Sequence, residues 1–279
     1  MSTDRILFLG ALAGLTIFLG LPIGRLRRPA LRLKAFLSAA ATGILLFLLW
    51  DVLSAASEPV EAALTGARAE GGSWPYFIGL AALFAGCLAV GLLSLVYWDR
   101  WLAQRRAAAM LGPGSASAAE FVRAPAFTPG RRLALFIALG IGLHNFAEGL
   151  AIGQSAAGGE ISLALVLIVG FGLHNATEGF GVVAPIAGES TLPSWGFLAL
   201  LGLIGGGPTF LGTALGRVWV NDAVSVAFLT LAAGSILYVI IELLNVNRGF
   251  GFRRLVMWGI LAGLLAGFFT DWILVAAGA

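Results

Sequence analysis

The sequence predicts an all-α polytopic membrane protein of eight transmembrane helices, on three observations. Of its 279 residues, 59% are hydrophobic and only 11% charged, with a mean hydropathy of +0.96. Apolar stretches long enough to cross a bilayer, about 20 residues each, recur at 5–24, 34–57, 75–98, 132–155, 161–187, 192–216, 222–246 and 252–276. Positive charge, finally, is confined almost entirely to alternate loops. Lipid offers the backbone no hydrogen-bonding partner, so each stretch is expected to be a helix. No soluble domain interrupts them, and 1–279 reads as a single transmembrane domain.

The first stretch follows Arg5 and has the outline of a secretory signal. It lacks a small-x-small cleavage pattern and is followed by Arg25, Arg27 and Arg28, so it reads as a retained span. After the third stretch, 99–131 reads as a cytoplasmic linker, because Ala103 to Gly130 is rich in Ala, Gly, Ser, Pro and Arg and has no hydrophobic period. The fourth and fifth stretches are joined by a short polar turn at Gly158 to Glu160 and should form an antiparallel hairpin. Trp74, Trp98, Trp101, Trp195, Trp219 and Trp272 fall near the proposed span ends, where an amphipathic indole is favoured; Trp50 and Trp258 sit deeper.

Charge orients the spans. With the amino terminus outside, the inner loops hold Arg25, Arg27, Arg28, Arg32 and Lys34, then Arg100, Arg105, Arg106, Arg123, Arg131 and Arg132, then Arg248, Arg253 and Arg254. These are fourteen of the 17 basic residues, leaving Arg5, Arg68 and Arg217 outside. Cytoplasmic loops collect Lys and Arg, so an even number of spans with both termini extracytoplasmic is expected. The net charge of +3 therefore reports topology rather than nucleic-acid binding, and the partner it implies is the bilayer, including anionic inner-leaflet lipids. The sole cysteine, Cys87, allows no intrachain disulfide and reads as a small packing residue.

Both histidines of the chain lie in two copies of one octet, Gly-Leu-His-Asn-x-x-Glu-Gly, at Gly142 to Gly149 and Gly172 to Gly179. His144 and Glu148 are four apart, as are His174 and Glu178, so on helices each pair shares one face. The octets fall close to halfway along two consecutive spans, so four ionisable side chains should meet near the midplane, where they are costly and a functional site is the first hypothesis. Imidazole nitrogen with carboxylate oxygen suits zinc, iron, manganese or cobalt, whereas magnesium and calcium prefer oxygen alone. Asn145 and Asn175 add carbonyl oxygens, and the flanking glycines permit close helix approach. The competing account is a buried His–Glu hydrogen bond that knits two helices together without metal. An intramembrane metalloenzyme is a weaker alternative: the His-Glu-x-x-His order of zinc hydrolases is absent, as is the Glu-x-x-His order of di-iron bundles.

The copies His-Asn-Phe-Ala-Glu-Gly at His144 and His-Asn-Ala-Thr-Glu-Gly at His174 resemble the fourth- and fifth-helix signatures of the ZIP (Zrt-/Irt-like) metal transporters. Ala-Gly-Ser-Ile-Leu-Tyr-Val-Ile-Ile-Glu-Leu-Leu ending at Leu244 resembles the family's seventh helix. The resemblance covers most of the chain and implies a 3+2+3 bundle in which helices four and five form the metal site, in a bacterial plasma (inner) membrane. It implies a transport site of His144, Asn145, Glu148, His174, Asn175 and Glu178, and inward movement of divalent metals, zinc foremost, with iron, manganese or cadmium. Such a protein is no enzyme and carries no cofactor beyond its cargo. Two departures stand out. The family usually has proline before the motif glutamate, where this chain has Ala147 and Thr177, so the kinks should be weaker. The family's sixth helix often carries glutamate before proline, whereas the matching stretch here is Gly205-Gly206-Gly207-Pro208. One well-formed metal position is therefore expected, and a second that is weak or absent.

Three further carboxylates can be placed by depth: Asp51 and Asp271 in the outer parts of helices two and eight, and Glu242 near the inner end of helix seven. They are candidates for an entrance and an exit, against snorkelling to the nearer interface. Metal binding needs deprotonated ligands, so transport should weaken in acid. A membrane protein that binds or senses metal without moving it would use the same residues. Many polytopic transporters are homodimers, and the sequence leaves oligomeric state open.

Overall fold

In the computed structural model, residues 2–26, 30–69, 72–110, 127–159, 161–218 and 221–276 are described. Arg27, Arg28, Glu70, Arg123, Glu160, Trp219 and linker residues 111–126 lie outside them. Among the described residues there are helices and no strands, and eight helices are long and apolar enough to cross a membrane. We number them α1 (Thr3–Arg25), α2 (Leu31–Arg68), α3 (Trp74–Met110), α4 (Pro129–Ala157), α5 (Ile161–Val183), α6 (Trp195–Gly216), α7 (Asp222–Gly249) and α8 (Arg253–Ala276).

Most ends fall within a few residues of the hydropathy boundaries, and two do not. α2 runs on through Glu58 to Arg68, and α3 through Ala103 to Met110, into the stretch expected to be linker. Both extensions are rich in Ala, Glu, Arg and Gln, strong helix formers that hydropathy does not register. The capped ends follow local chemistry: Thr128 accepts from the Arg131 N–H before α4, Ser194 from Phe197 before α6, and Asn221 from Ala223 before α7.

α1 is interrupted. Its α-helix stops at Leu15, resumes over Ile17–Gly20 and tightens to a 3₁₀ turn at Leu21–Arg25, which contains Pro22. At the break the Thr16 hydroxyl lies 2.7 Å from the Ala13 carbonyl and 2.6 Å from the Gly172 carbonyl of α5. A side-chain hydroxyl that bonds backbone carbonyls competes with the helical ladder, which accounts for the interruption.

α4 packs most extensively on α6, α2 on α8, and α3 on α7. The α4–α6 contact is backbone to backbone: a Cβ on Gly149 would overlap the Thr209 carbonyl, and one on Gly212 the Phe146 carbonyl. Glycine is needed there because without a hydrophobic effect between helices, association relies on close van der Waals approach. The core runs from Leu45 and Leu48 through Ile137 and Ile141 to Ile236 and Leu243. The outer surface is apolar, with Leu165, Val169, Leu203, Leu211, Leu261 and Phe269 among its exposed side chains.

Of the described basic residues that the charge pattern assigns to one side, Arg25, Arg32, Lys34, Arg131 and Arg132 share one face. Arg25 donates to the Pro193 carbonyl, Lys34 to Ala187, Arg131 pairs with Glu189, and Arg132 with Asp99 at 3.2 Å. Arg25 also lies over the Trp195 ring, 4.8 Å from its centroid, and Arg32 over Phe252 at 5.6 Å. At the opposite end the Tyr76 hydroxyl donates to Asp222 at 3.2 Å.

Candidate metal site

The octets sit on α4 and α5, and both helices are uninterrupted α-helix through the motif. Ala147 keeps the helical N–H that proline would lack, and the Thr177 hydroxyl donates to the His174 carbonyl at 2.7 Å.

All six motif residues are buried. The imidazole of His144 is the hub: its Nε2 lies 3.1 Å from Glu148 Oε1 and 3.8 Å from Glu178 Oε1, so the first histidine faces the glutamates of both copies. Two ligands of one tetrahedral zinc stand about 3.3 Å apart, given metal–ligand bonds near 2.0–2.1 Å, and the two separations bracket that edge. Two carboxylates also match the charge of a divalent cation. Even so, among the described residues no three His, Cys, Asp or Glu side chains meet in a ready-made coordination shell.

Hydrogen bonding inside this group is incomplete. Among the described residues, both carboxylate oxygens of Glu148 and of Glu178 lack an aligned hydrogen bond, as do both ring nitrogens of His144, Nδ1 of His174, and Oδ1 of Asn145 and of Asn175. Buried polar atoms are nearly always partnered, because each unmade bond costs about 1–3 kcal/mol. A cluster of lone pairs facing one another is what a cation would satisfy.

The two asparagines do more than offer oxygens. Asn145 Nδ2 donates to the Gly205 carbonyl of α6 at 3.0 Å, and Asn175 Nδ2 to the Ala13 carbonyl of α1 at 3.1 Å. Each motif helix is thus tied to a neighbour at that neighbour's irregular point, the α1 break in one case and the glycine run before Pro208 in the other. With both amide groups held this way, each Oδ1 is left as the free acceptor.

His174 does not join the trio. Its Nε2 lies 3.2 Å from Thr270 Oγ1 on α8, and its ring meets Phe47 edge-on at 6.3 Å. The Thr270 hydroxyl already has the Ala266 and Gly267 carbonyls at 2.7 and 2.8 Å for its one proton. Which of Thr270 and Nε2 donates follows the imidazole tautomer, and Nδ1 of His174 has no hydrogen-bond partner among the described residues. Thr270 was not singled out in the sequence; its signal was an uncharged polar residue beside Asp271 in an apolar span.

The outlying carboxylates divide. Asp51 interacts electrostatically with Asp271, His144 and Glu148, and His174 with Asp271 and Glu148. Glu242 stands apart. Val239 and Leu243 fill the core side of α7, which leaves Glu242 with Tyr238 on the face toward Asp99. A Cβ on Gly207 would meet nothing within 4 Å, and the residue shares its side of α6 with exposed Leu203, Phe210 and Leu211. A carboxylate there would point away from the trio.

No protein-family model matches the chain, and no curated protein matches it.

Proposed function

We propose that this protein is a ZIP-like transporter that carries a divalent transition-metal ion, zinc foremost and also iron, manganese or cadmium, toward the cytoplasm. The observation that carries this reading is the buried trio of His144, Glu148 and Glu178, whose imidazole nitrogen and carboxylate oxygens approach to 3.1 and 3.8 Å and lack aligned hydrogen bonds among the described residues. The ion enters from the extracytoplasmic end past Asp51 and Asp271, exchanges water for the trio and for Nδ1 of His174, and leaves at the basic face when one group of helices moves against another. The termini lie outside in this scheme, in keeping with the positive-inside rule.

Binding without net flux is the second reading, supported by His174, which is turned to Thr270 rather than into the trio. Uptake of radiolabelled zinc, iron, manganese and cadmium into proteoliposomes, beside a His144→Ala/His174→Ala variant, separates the two. Saturable uptake that the variant loses supports transport. Binding without uptake selects the second reading, and equal uptake by the variant overturns the site.

A further inference from the structure

A buried ammonium group with no counter-ion among the described residues lines a cavity on the basic face. Lys34, in the first turn of α2, is only 5% exposed. Its hydrogen bond among the described residues goes from Nζ to a neutral acceptor, the Ala187 carbonyl, at 3.2 Å. No described carboxylate stands within ion-pairing distance of it. Burial of an unpaired charge is costly, and an ammonium has three protons to give.

The cavity measures about 280 Å³ and is lined by Gly24, Lys34, Glu189, Ser190 and Thr191 among others. Its one carboxylate is already engaged: Glu189 pairs with Arg131 at 3.4 Å and accepts from the Thr128 hydroxyl. Arg131 also donates to Thr191 at 3.4 Å, and Arg25 closes the neighbouring side through the Pro193 carbonyl. Among the described residues, Lys34, Arg131 and Arg25 therefore stand at or beside this cavity against one acid, Glu189.

We propose that this cavity binds a phosphate group, with Lys34 as its counter-ion and the hydroxyls of Ser190 and Thr191 as further donors. Phosphate fits better than a halide because it brings several acceptor oxygens to several donors and offsets more than one positive charge. It is supplied either by the headgroup of an anionic phospholipid, since the cavity lies at the helix ends, or by inorganic phosphate. The inference is independent of the metal site.

The test is thermal unfolding of the full chain in nanodiscs of phosphatidylcholine alone, with added phosphatidylglycerol, or with inorganic phosphate at constant ionic strength. In the parent, one or both probes raise the Tm, as any ligand of the native state must. In Lys34→Met the rise is lost, and apparent affinity falls about tenfold or more, the scale of a charge-assisted hydrogen bond. In phosphatidylcholine alone, Lys34→Met melts no lower than the parent, because it removes an unpaired buried charge. A rise with phosphatidylglycerol only identifies a lipid; a rise with phosphate in plain phosphatidylcholine identifies the free ion. No rise with either probe, or equal rises in parent and variant, overturns the proposal. Should Lys34→Met not fold, the same titrations of Ser190→Ala/Thr191→Ala decide: affinity several-fold weaker sustains the site, and unchanged affinity removes it.

Discussion

The two octets differ by only two residues, Phe146-Ala147 against Ala176-Thr177, yet their histidines have different surroundings. His144 reaches the glutamates of both copies, while His174 contacts Thr270 and Phe47. The cause lies in what covers each helix. α4 is enclosed by α6 and α7, and none of its described large apolar side chains is exposed, whereas α5 presents Leu165, Val169 and Leu173 to the outside. Duplication repeats a set of side chains; the neighbouring helices decide which of them meet.

This asymmetry is open to direct attack. The largest effect is expected from His144→Ala, which removes the group common to both carboxylates. Zinc affinity by isothermal titration should fall on the order of 100-fold, against about tenfold for His174→Ala, in proportion to partners lost. Equal losses would erase the distinction. Next comes Gly149→Val, which drives side-chain atoms into the Thr209 carbonyl and should cost about 1–3 kcal/mol of stability. Gly79→Ala, inside α3 where a Cβ meets nothing within 4 Å, should keep or slightly raise the Tm, because alanine is the better helix former, so the pair separates the cost of parting helices from propensity.

Asn145→Ala and Asn175→Ala each remove one cross-helix hydrogen bond and should cost about 1 kcal/mol. Being on different helix pairs they should add, unless both ties report on one movement; a double variant measured by thermal unfolding discriminates. The smallest effect is expected of Thr270→Val, which frees Nε2 of His174 without touching the trio. Zinc affinity should stay within about threefold of the parent, whereas loss comparable to His174→Ala would show that the threonine itself is a ligand.

Much of the fold was legible, since lipid leaves the backbone few options and apolar length marks each span. What escaped was helix beyond the apolar stretch: Glu58 to Arg68 and Ala103 to Met110 are helical by propensity and polar by composition. The break in α1 escaped too, because Thr16 acts on a carbonyl of α5, 156 residues away. At the site, the ionisable residues announced themselves by their expense in lipid. Their pairing did not, because it depends on Thr270, an uncharged residue 96 positions from His174. Gly207 shows the limit of register matching: its neighbour in sequence, Gly206, faces the Gly14 carbonyl, while Gly207 itself faces open space.

The glycine contact between α4 and α6 bears on tolerance. Where side chains separate two helices, rotamers can absorb a displacement; where Gly149 lies against the Thr209 carbonyl and Gly212 against that of Phe146, nothing soft intervenes. Glu148 is the residue next to Gly149. The aperture of the trio on the α4 side is thus gauged from behind by two peptide planes in contact, and a single methyl group placed there would retune the grip without altering any residue that forms it.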